Sequence, residues 1–355
     1  MKTRHHFAPF AAITSLCFLA VYLHAADPTA PTTRPTTKPL TPATRPIPAI
    51  DRVMVISVDG LRPDLLTRTD TPNFHRLIRA GSFTLWAKTT AASITLPSHI
   101  SMLTGVTPNR HKIEWNSDLP LSKPVYPKGR TLLDIAKGYG YTTAMTAGKS
   151  KFEIFDRPGS VDWNWVAPAP PTTKPTTNPA KPEDEWPDDT EKAKKENMAD
   201  SVVTEHAIQI IHEHRPQVMF VHFPHVDNVG HIFGWGTPEQ LQAVEEADTA
   251  VGAVVKALDE AGLIASTLII ITADHGGAGR GHGPDDARSR HIPWIAVGPG
   301  IRANFDLTRY KDLIVNTEDT FATACYFLGM KPSPGIDGKP VTQIIRRDEL
   351  LQVRN

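Results

Sequence analysis

The chain has 355 residues, with Lys/Arg and Asp/Glu equal at 38 each, so its formal net charge at neutral pH is zero. That length holds one large α/β domain or two small ones with ample core. The even balance and the lack of a Lys/Arg block exclude a polyanion-binding protein, so no nucleic-acid-binding surface is expected.

Residues 1–26 read as a secretory signal: Lys2 and Arg4 precede an apolar stretch from Phe7 to Leu23, and small residues Ala25 and Ala26 follow. The run is short for a membrane span and lacks basic residues after it, so no stable span is expected once it is cleaved. Export to a periplasm or the extracellular space follows as the expectation. Cleavage would also remove Cys17 and leave Cys325 alone, so no intrachain disulfide is expected. Residues 27–49, rich in Pro and Thr, read as a disordered tether. The globular domain is expected over 50–345, with a C-terminal tail at 346–355.

Strand and helix signals then alternate. Residues 52–58 (RVMVISV) form an apolar strand ending at Asp59-Gly60. Thr71-Pro72 starts a helix with proline at its first position, and Pro97-Ser98 starts another that runs to Gly105. A helix over 131–137, a strand over 141–145, a helix over 198–214 and a strand over 217–223 follow. Residues 152–197 read as a cap insertion, interrupted by a second Pro/Thr-rich loop at 167–187. Trp163, Trp165 and Trp186 within it are candidates for stacking a nucleobase or aryl group, or for packing. Thr237-Pro238-Glu239-Gln240 is a capping box opening a long helix. Strands at 267–271 and 292–297 and a helix at 317–328 complete the chain. Strands separated by helices, without hairpin signals, predict an α/β fold with a mostly parallel sheet covered on both faces.

In such sheets ligands bind beyond the carboxyl ends of the strands. Asp59, Asp227 and Asp274 all stand at strand ends. Asp227 and His231 are spaced to share one face of a helical turn. Asp274-His275 opens a stretch with five glycines in eight residues and then His282. Three carboxylates and three imidazoles are too many for one tetrahedral ion and suit two, roughly 4 Å apart. Mixed oxygen and nitrogen donors favour zinc, with manganese or iron as alternatives. Thr95 precedes Leu-Pro-Ser-His at a helix start, where free amides favour an anion; read alone it is an ordinary N-cap, and near metal it is a nucleophile.

The motifs V-D-G-L-R, T-L-P-S-H-x-S-M-L-T-G, D-x-x-x-H, A-D-H-G-G, G-H-G and G-P-G-I, in this order over about residues 50–345, resemble the alkaline phosphatase superfamily. They look most like its type I phosphodiesterase/nucleotide pyrophosphatase branch. The resemblance implies one ion held by Asp59, Thr95, Asp274 and His275, and another held by Asp227, His231 and His282, with His291 as a rival for the last place. It implies that Asn116 binds a phosphoryl oxygen, although Lys112 stands where the family's element usually has glycine. His99, His111, His222 and His225 are expected to orient ligands or pack.

Sulfatases of the superfamily need Cys or Ser at the position of Thr95, because only those oxidise to an aldehyde. The expected activity is therefore hydrolysis of a small-molecule phosphoric ester through a phosphothreonine intermediate, a diesterase or nucleotide pyrophosphatase before a monoesterase. Gly148-Lys149-Ser150-Lys151 resembles an element with which sulfatases grip their dianion, so Lys149 is a candidate substrate contact. A reading from another class, a non-catalytic metal-stabilised binding protein, sits poorly with a chain that keeps every ligand and the nucleophile. Oligomeric state is left open by the sequence.

Overall fold

All-apolar strands draw the centre of the molecule. In the computed structural model, which describes residues 39–117, 123–169 and 199–352, strands β1 (Arg52–Val58), β5 (Val218–Phe223) and β6 (Thr267–Thr272) are buried along nearly their whole length. Burial on both faces is why these strands read as continuous apolar runs rather than alternations. They lie side by side and parallel, with Val55 opposite Phe220 on one flank and Ile270 on the other. The eight-stranded sheet has the order β4-β3-β5-β1-β6-β7-β2-β8, where β2 is Ser82–Lys88, β3 Thr143–Ala147, β4 Trp163–Val166, β7 His291–Val297 and β8 Phe305–Asp306. The mostly parallel α/β sheet expected from the sequence is present.

Two pairs depart from parallel, β6 with β7 and β7 with β2. The link from β6 to β7 contains only the short helix Ala287–Arg290, too little to cross over the sheet. The chain therefore turns back at the end where β6 finishes, and the glycine-rich stretch stays there.

Helices cover the sheet much as their patterns indicate. Helix Asp200–His214 buries Val203, Ala207, Ile210 and Ile211. The Thr237 side chain caps helix Pro238–Glu260 by accepting from the Gln240 N–H. Helix Thr95–Thr104 begins two residues before the expected start, so Thr95 is its first residue, and every residue in it is buried.

Two expectations about segments change. Residues 163–166 belong to the central sheet as strand β4, paired with β3, rather than to a cap. Their tryptophans face helix Asp200–His214, with Trp163 stacked on His214 and Trp165 on His206, both at 4.4 Å between ring centroids. They are therefore engaged in packing; Trp186 lies outside the described residues, as do residues 1–38 and most of the loop expected at 167–187. The end of the expected tether is docked. Leu40 N–H donates to Gly138 O and Ala43 N–H to Gly329 O, while Ile47 is 2% exposed and packs under Gly300. One large apolar side chain and two backbone bonds offset the ordering cost that the composition alone suggested would prevail. At the other end, Arg346 N–H donates to Gly300 O and Arg347–Gln352 is helical, so the expected tail also begins on the domain. Cys325 is buried.

If residues 39–50 are an integral strap, Ile47→Ala should cost roughly 2–5 kcal/mol. Urea denaturation of the variant measures this, and an unchanged midpoint would restore the tether reading.

Candidate functional site

The carboxyl ends of β1, β5 and β6 bring the expected residues together. Asp59 follows β1 directly and is fully buried. Asp227 and His231 lie one turn apart on helix His225–Phe233, which begins just after β5. Asp274 and His275 follow β6 and are also fully buried. Gly60 adopts φ +73°, and a methyl group there would stand 2.9 Å from Asp227 Cα. Only glycine accommodates both that backbone and that closeness.

The tautomers of three imidazoles can be deduced. His231, His275 and His282 each place Nδ1 2.8–3.0 Å from a backbone carbonyl, those of Arg280, Gly276 and Ser93. A carbonyl only accepts, so Nδ1 carries a proton in each ring and Nε2 is the atom left to face the cluster. Those three Nε2 atoms face carboxylates. His275 Nε2 is 3.1 Å from Asp274 Oδ2, 3.4 Å from Asp59 Oδ1 and 3.9 Å from Asp227 Oδ1. His231 Nε2 and His282 Nε2 lie 3.4 and 3.8 Å from Asp227 Oδ1. Burial, then neighbouring His275, pushes His282 down to about 3, and burial also lowers His275, so both rings are held neutral.

The carboxylate oxygens on this side, Asp59 Oδ1, Asp227 Oδ1 and Asp274 Oδ2, are buried without a hydrogen-bond partner. Each such orphan costs about 1–3 kcal/mol or more. Lone pairs pointed at unsatisfied anions repel; a cation among them turns the same geometry into attraction. The donor set therefore fits divalent metal. Two groups have their ligand atoms within 4.8 Å of one another: Asp227, His231 and His282, and Asp59, Asp227 and His275. Asp227 is shared between them, whereas the sequence assigned it to one ion alone. His291 is elsewhere, with Nδ1 on Ala287 O and its ring against Trp86.

Thr95 lies at the edge of this cluster, 1% exposed, with Oγ1 3.2 Å from His275 Nε2. Asn116 stands beside it: its Oδ1 accepts from the Leu96 N–H at 2.9 Å and from Lys151 Nζ at 3.0 Å. The glycine usual in this element is missing, yet Lys112 takes the left-handed conformation (φ +67°) that glycine would favour. Holding a lysine in that conformation costs about 1–2 kcal/mol.

Lys149 lies among the carboxylates themselves. Its ammonium is buried and donates to Asp59 Oδ2 at 2.7 Å and Asp227 Oδ2 at 2.6 Å. Burial tends to raise both acids, but Lys149 holds Asp59 well below the usual carboxylate range; Asp227 is likewise lowered. Asp274 is raised, by burial and then by the charges of Asp59 and Asp227. The site keeps two carboxylates ionised around one ammonium and disfavours a third.

Other supporting residues were only partly visible in the sequence. His222, a lone imidazole inside the apolar strand β5, places Nε2 3.0 Å from Asp59 Oδ2. His99 accepts from Ser57 through Nε2 and donates through Nδ1 to Thr95 O. His111 packs on Ser101 and Pro97, and His225 pairs with Glu246. Trp235 was missed: its indole donates to Gly60 O and lies flat against Gly277, where a methyl would sit 2.3 Å from the ring. The signal available was its setting between two glycines, G-W-G.

An open α/β sheet of this order with carboxylates and imidazoles gathered at its carboxyl edge defines a member of the alkaline phosphatase superfamily. A family model described as Type I phosphodiesterase / nucleotide pyrophosphatase matches residues 53–281, more than half the chain, and the protein belongs to that family. A sulfatase model matches residues 236–330. Among curated proteins, the chain is similar to an uncharacterized pyrophosphatase/phosphodiesterase of Schizosaccharomyces pombe, with 27% identity over 63% of this chain and 44% of the relative. It is also similar to human ectonucleotide pyrophosphatase/phosphodiesterase family member 7, with 23% identity over 64% of this chain and 48% of that protein. The chain spans about half the length of these curated relatives. Among solved structures, an inactive variant of murine ectonucleotide pyrophosphatase/phosphodiesterase 5 in complex with AMP shares the fold, with a TM-score of 0.63 and 14% identity over 83% of this chain and all of that one. A 2-O GAG sulfatase also shares it, at a TM-score of 0.61 and 16% identity over 84% of this chain and 74% of that one.

One buried acid near the site lies outside the ligand set. Asp200 opens helix Asp200–His214, accepts from the His225 N–H through Oδ1 and leaves Oδ2 unpartnered. Burial, the larger cause, and the charges of Glu246 and Asp59 push it up to about 8. An acid raised on folding is protonated in the native state while ionised in the unfolded one, so its stabilising share is lost as pH rises from about 4 through 8. Asp200→Asn keeps an acceptor and removes the titration. Relative to the native protein, the variant should gain up to about 1.4 kcal/mol per pH unit across that window. Parallel pH dependences in chemical denaturation would refute this.

Proposed function

We propose that this protein is an exported hydrolase of phosphoric diesters and nucleotide pyrophosphates, acting with two divalent metal ions and a phosphothreonine intermediate. The observation that supports this reading is the convergence of three imidazole Nε2 atoms and three orphaned carboxylate oxygens beside the Thr95 hydroxyl. Asp59, Thr95, Asp274 and His275 would hold one ion and Asp227, His231 and His282 the other, with zinc best suited to the donors. Bound there, the ions supply Lewis acidity, lowering the cost of ionising a hydroxyl and neutralising charge on phosphorus.

The chain's own residues supply the rest. Thr95 Oγ1 attacks phosphorus as the bond to the leaving oxygen breaks, and water then attacks the phosphothreonine and expels the Thr95 oxygen. With Asn116 Oδ1 occupied by the Leu96 N–H and Lys151, its Nδ2 is left to donate to a phosphoryl oxygen. Threonine at this position argues against a sulfatase, despite the partial sulfatase match. The diester reading is favoured over the monoester because Lys149, the cation that would have gripped a dianion, is bound to Asp59 and Asp227. A cavity of about 430 Å³ lined by Trp115, Tyr126, Lys151 and Asn164 adjoins Asn116 and offers room for an organic substituent. Export rests on the sequence of residues 1–26; no helix among the described residues is long and apolar enough to cross a membrane.

Bis-p-nitrophenyl phosphate should be turned over faster than p-nitrophenyl phosphate; the reverse order would favour the monoesterase. Thr95→Ala should lower turnover by about 10³-fold or more while metal content, measured by elemental analysis, stays at the native level. Full activity in that variant would remove Thr95 from the mechanism. Lys151→Met should lower kcat without altering metal content, since it removes a donor from Asn116 Oδ1; unchanged kcat would show that Asn116 needs no such support. Bound metal without hydrolysis of any phosphoric ester in the native protein would revive the binding-protein reading.

A further inference from the structure

Lys149 reaches the metal cluster from behind. It follows Gly148, which lies so close to Pro224 that a methyl there would stand 2.4 Å from the proline ring. The root of the lysine is thus fixed between the ends of β3 and β5. From there Nζ meets one oxygen, Oδ2, of both Asp59 and Asp227. The other oxygen of each, Oδ1, is the orphaned one that faces His275 Nε2. Both carboxylates are divided in the same way, one oxygen to the ammonium and one to the ligand side.

We propose that Lys149 is a resident counter-cation: it holds the two carboxylates in place in the metal-free protein, and incoming divalent ions must share them with it. The inference rests on the reading of the cluster as a metal site. Two opposing effects follow from the geometry. The hydrogen bonds orient the ligands, and losing such support typically weakens metal binding about 10–100-fold. The ammonium also repels a divalent ion bound to the opposite oxygens of the same carboxylates, and at such separations in a buried site that repulsion exceeds the orienting benefit. Lys149 therefore trades metal affinity for a site that stays assembled when empty.

Lys149→Met removes the charge and both hydrogen bonds, while Lys149→Gln removes the charge and keeps a donor for one carboxylate. In chelator, both variants should melt below the native protein, because two buried carboxylates lose the ammonium that bridges them. Competition with a chromophoric zinc chelator should show about tenfold or greater tightening of zinc binding in Lys149→Gln. A Lys149→Met protein that folds only with zinc would give the same answer in stronger form. Metal-free melting equal to the native protein, or zinc binding equal or weaker in Lys149→Gln, would overturn the proposal. Zinc content and phosphodiester hydrolysis of the native protein test the underlying reading separately, and the comparison of melting in chelator does not depend on either.

Discussion

Electrostatic repulsion at the carboxyl edge of the sheet is the constraint around which this molecule is arranged. Three aspartates and three imidazole rings are forced to within a few ångströms, mostly out of contact with water. Left alone such a cluster would push apart, since a buried unpaired charge is among the costliest features a fold can contain. The scaffold resists it with strands β1, β5 and β6, whose burial on both faces and mutual hydrogen bonding leave no room to splay. Backbone carbonyls fix the imidazole tautomers, and Lys149 offsets part of the charge. The rigid parallel core is thus a mechanical requirement of the chemistry as much as a result of apolar burial.

The same constraint explains the supporting cast. His222 and Lys149 both end on Asp59 Oδ2, and the Gly60 N–H donates to Asp274 Oδ1. Each of the three carboxylates accordingly has one oxygen engaged by protein donors and one turned toward the cluster. Asn116 follows the same logic beside Thr95, where two donors on its oxygen determine which end of the amide faces outward.

Much of this was legible in the sequence, for identifiable reasons. Continuous apolar runs ending in aspartate, at 52–59 and 268–274, give both the strand and the direction in which it delivers a ligand. The spacing of Asp227 and His231 becomes one helical turn. Strand β2 was not legible, because its pairing with β7 shifts register between Thr84 and Ala87 and leaves Trp86 exposed, which blurs the alternation. Strand β4 was hidden by the Pro/Thr-rich sequence that follows it. The docking of residues 39–50 depends on Ile47 finding a socket far away in sequence, which local composition does not encode. The placement of Lys149 was not legible for a related reason: a long side chain ends where the tertiary field draws it, and two buried carboxylates draw an ammonium more strongly than an open loop does.

Trp235 touches or bonds to all three ligand-bearing segments. Its indole donates to Gly60 O, lies against Gly230 and Gly277, and meets the rings of His231 and His282 edge-on. One rigid bicyclic plate therefore acts as a common spacer for loops that arrive from different strands. Loops packed on one ring cannot drift one at a time, so a change in any one of them is transmitted to the others through that ring.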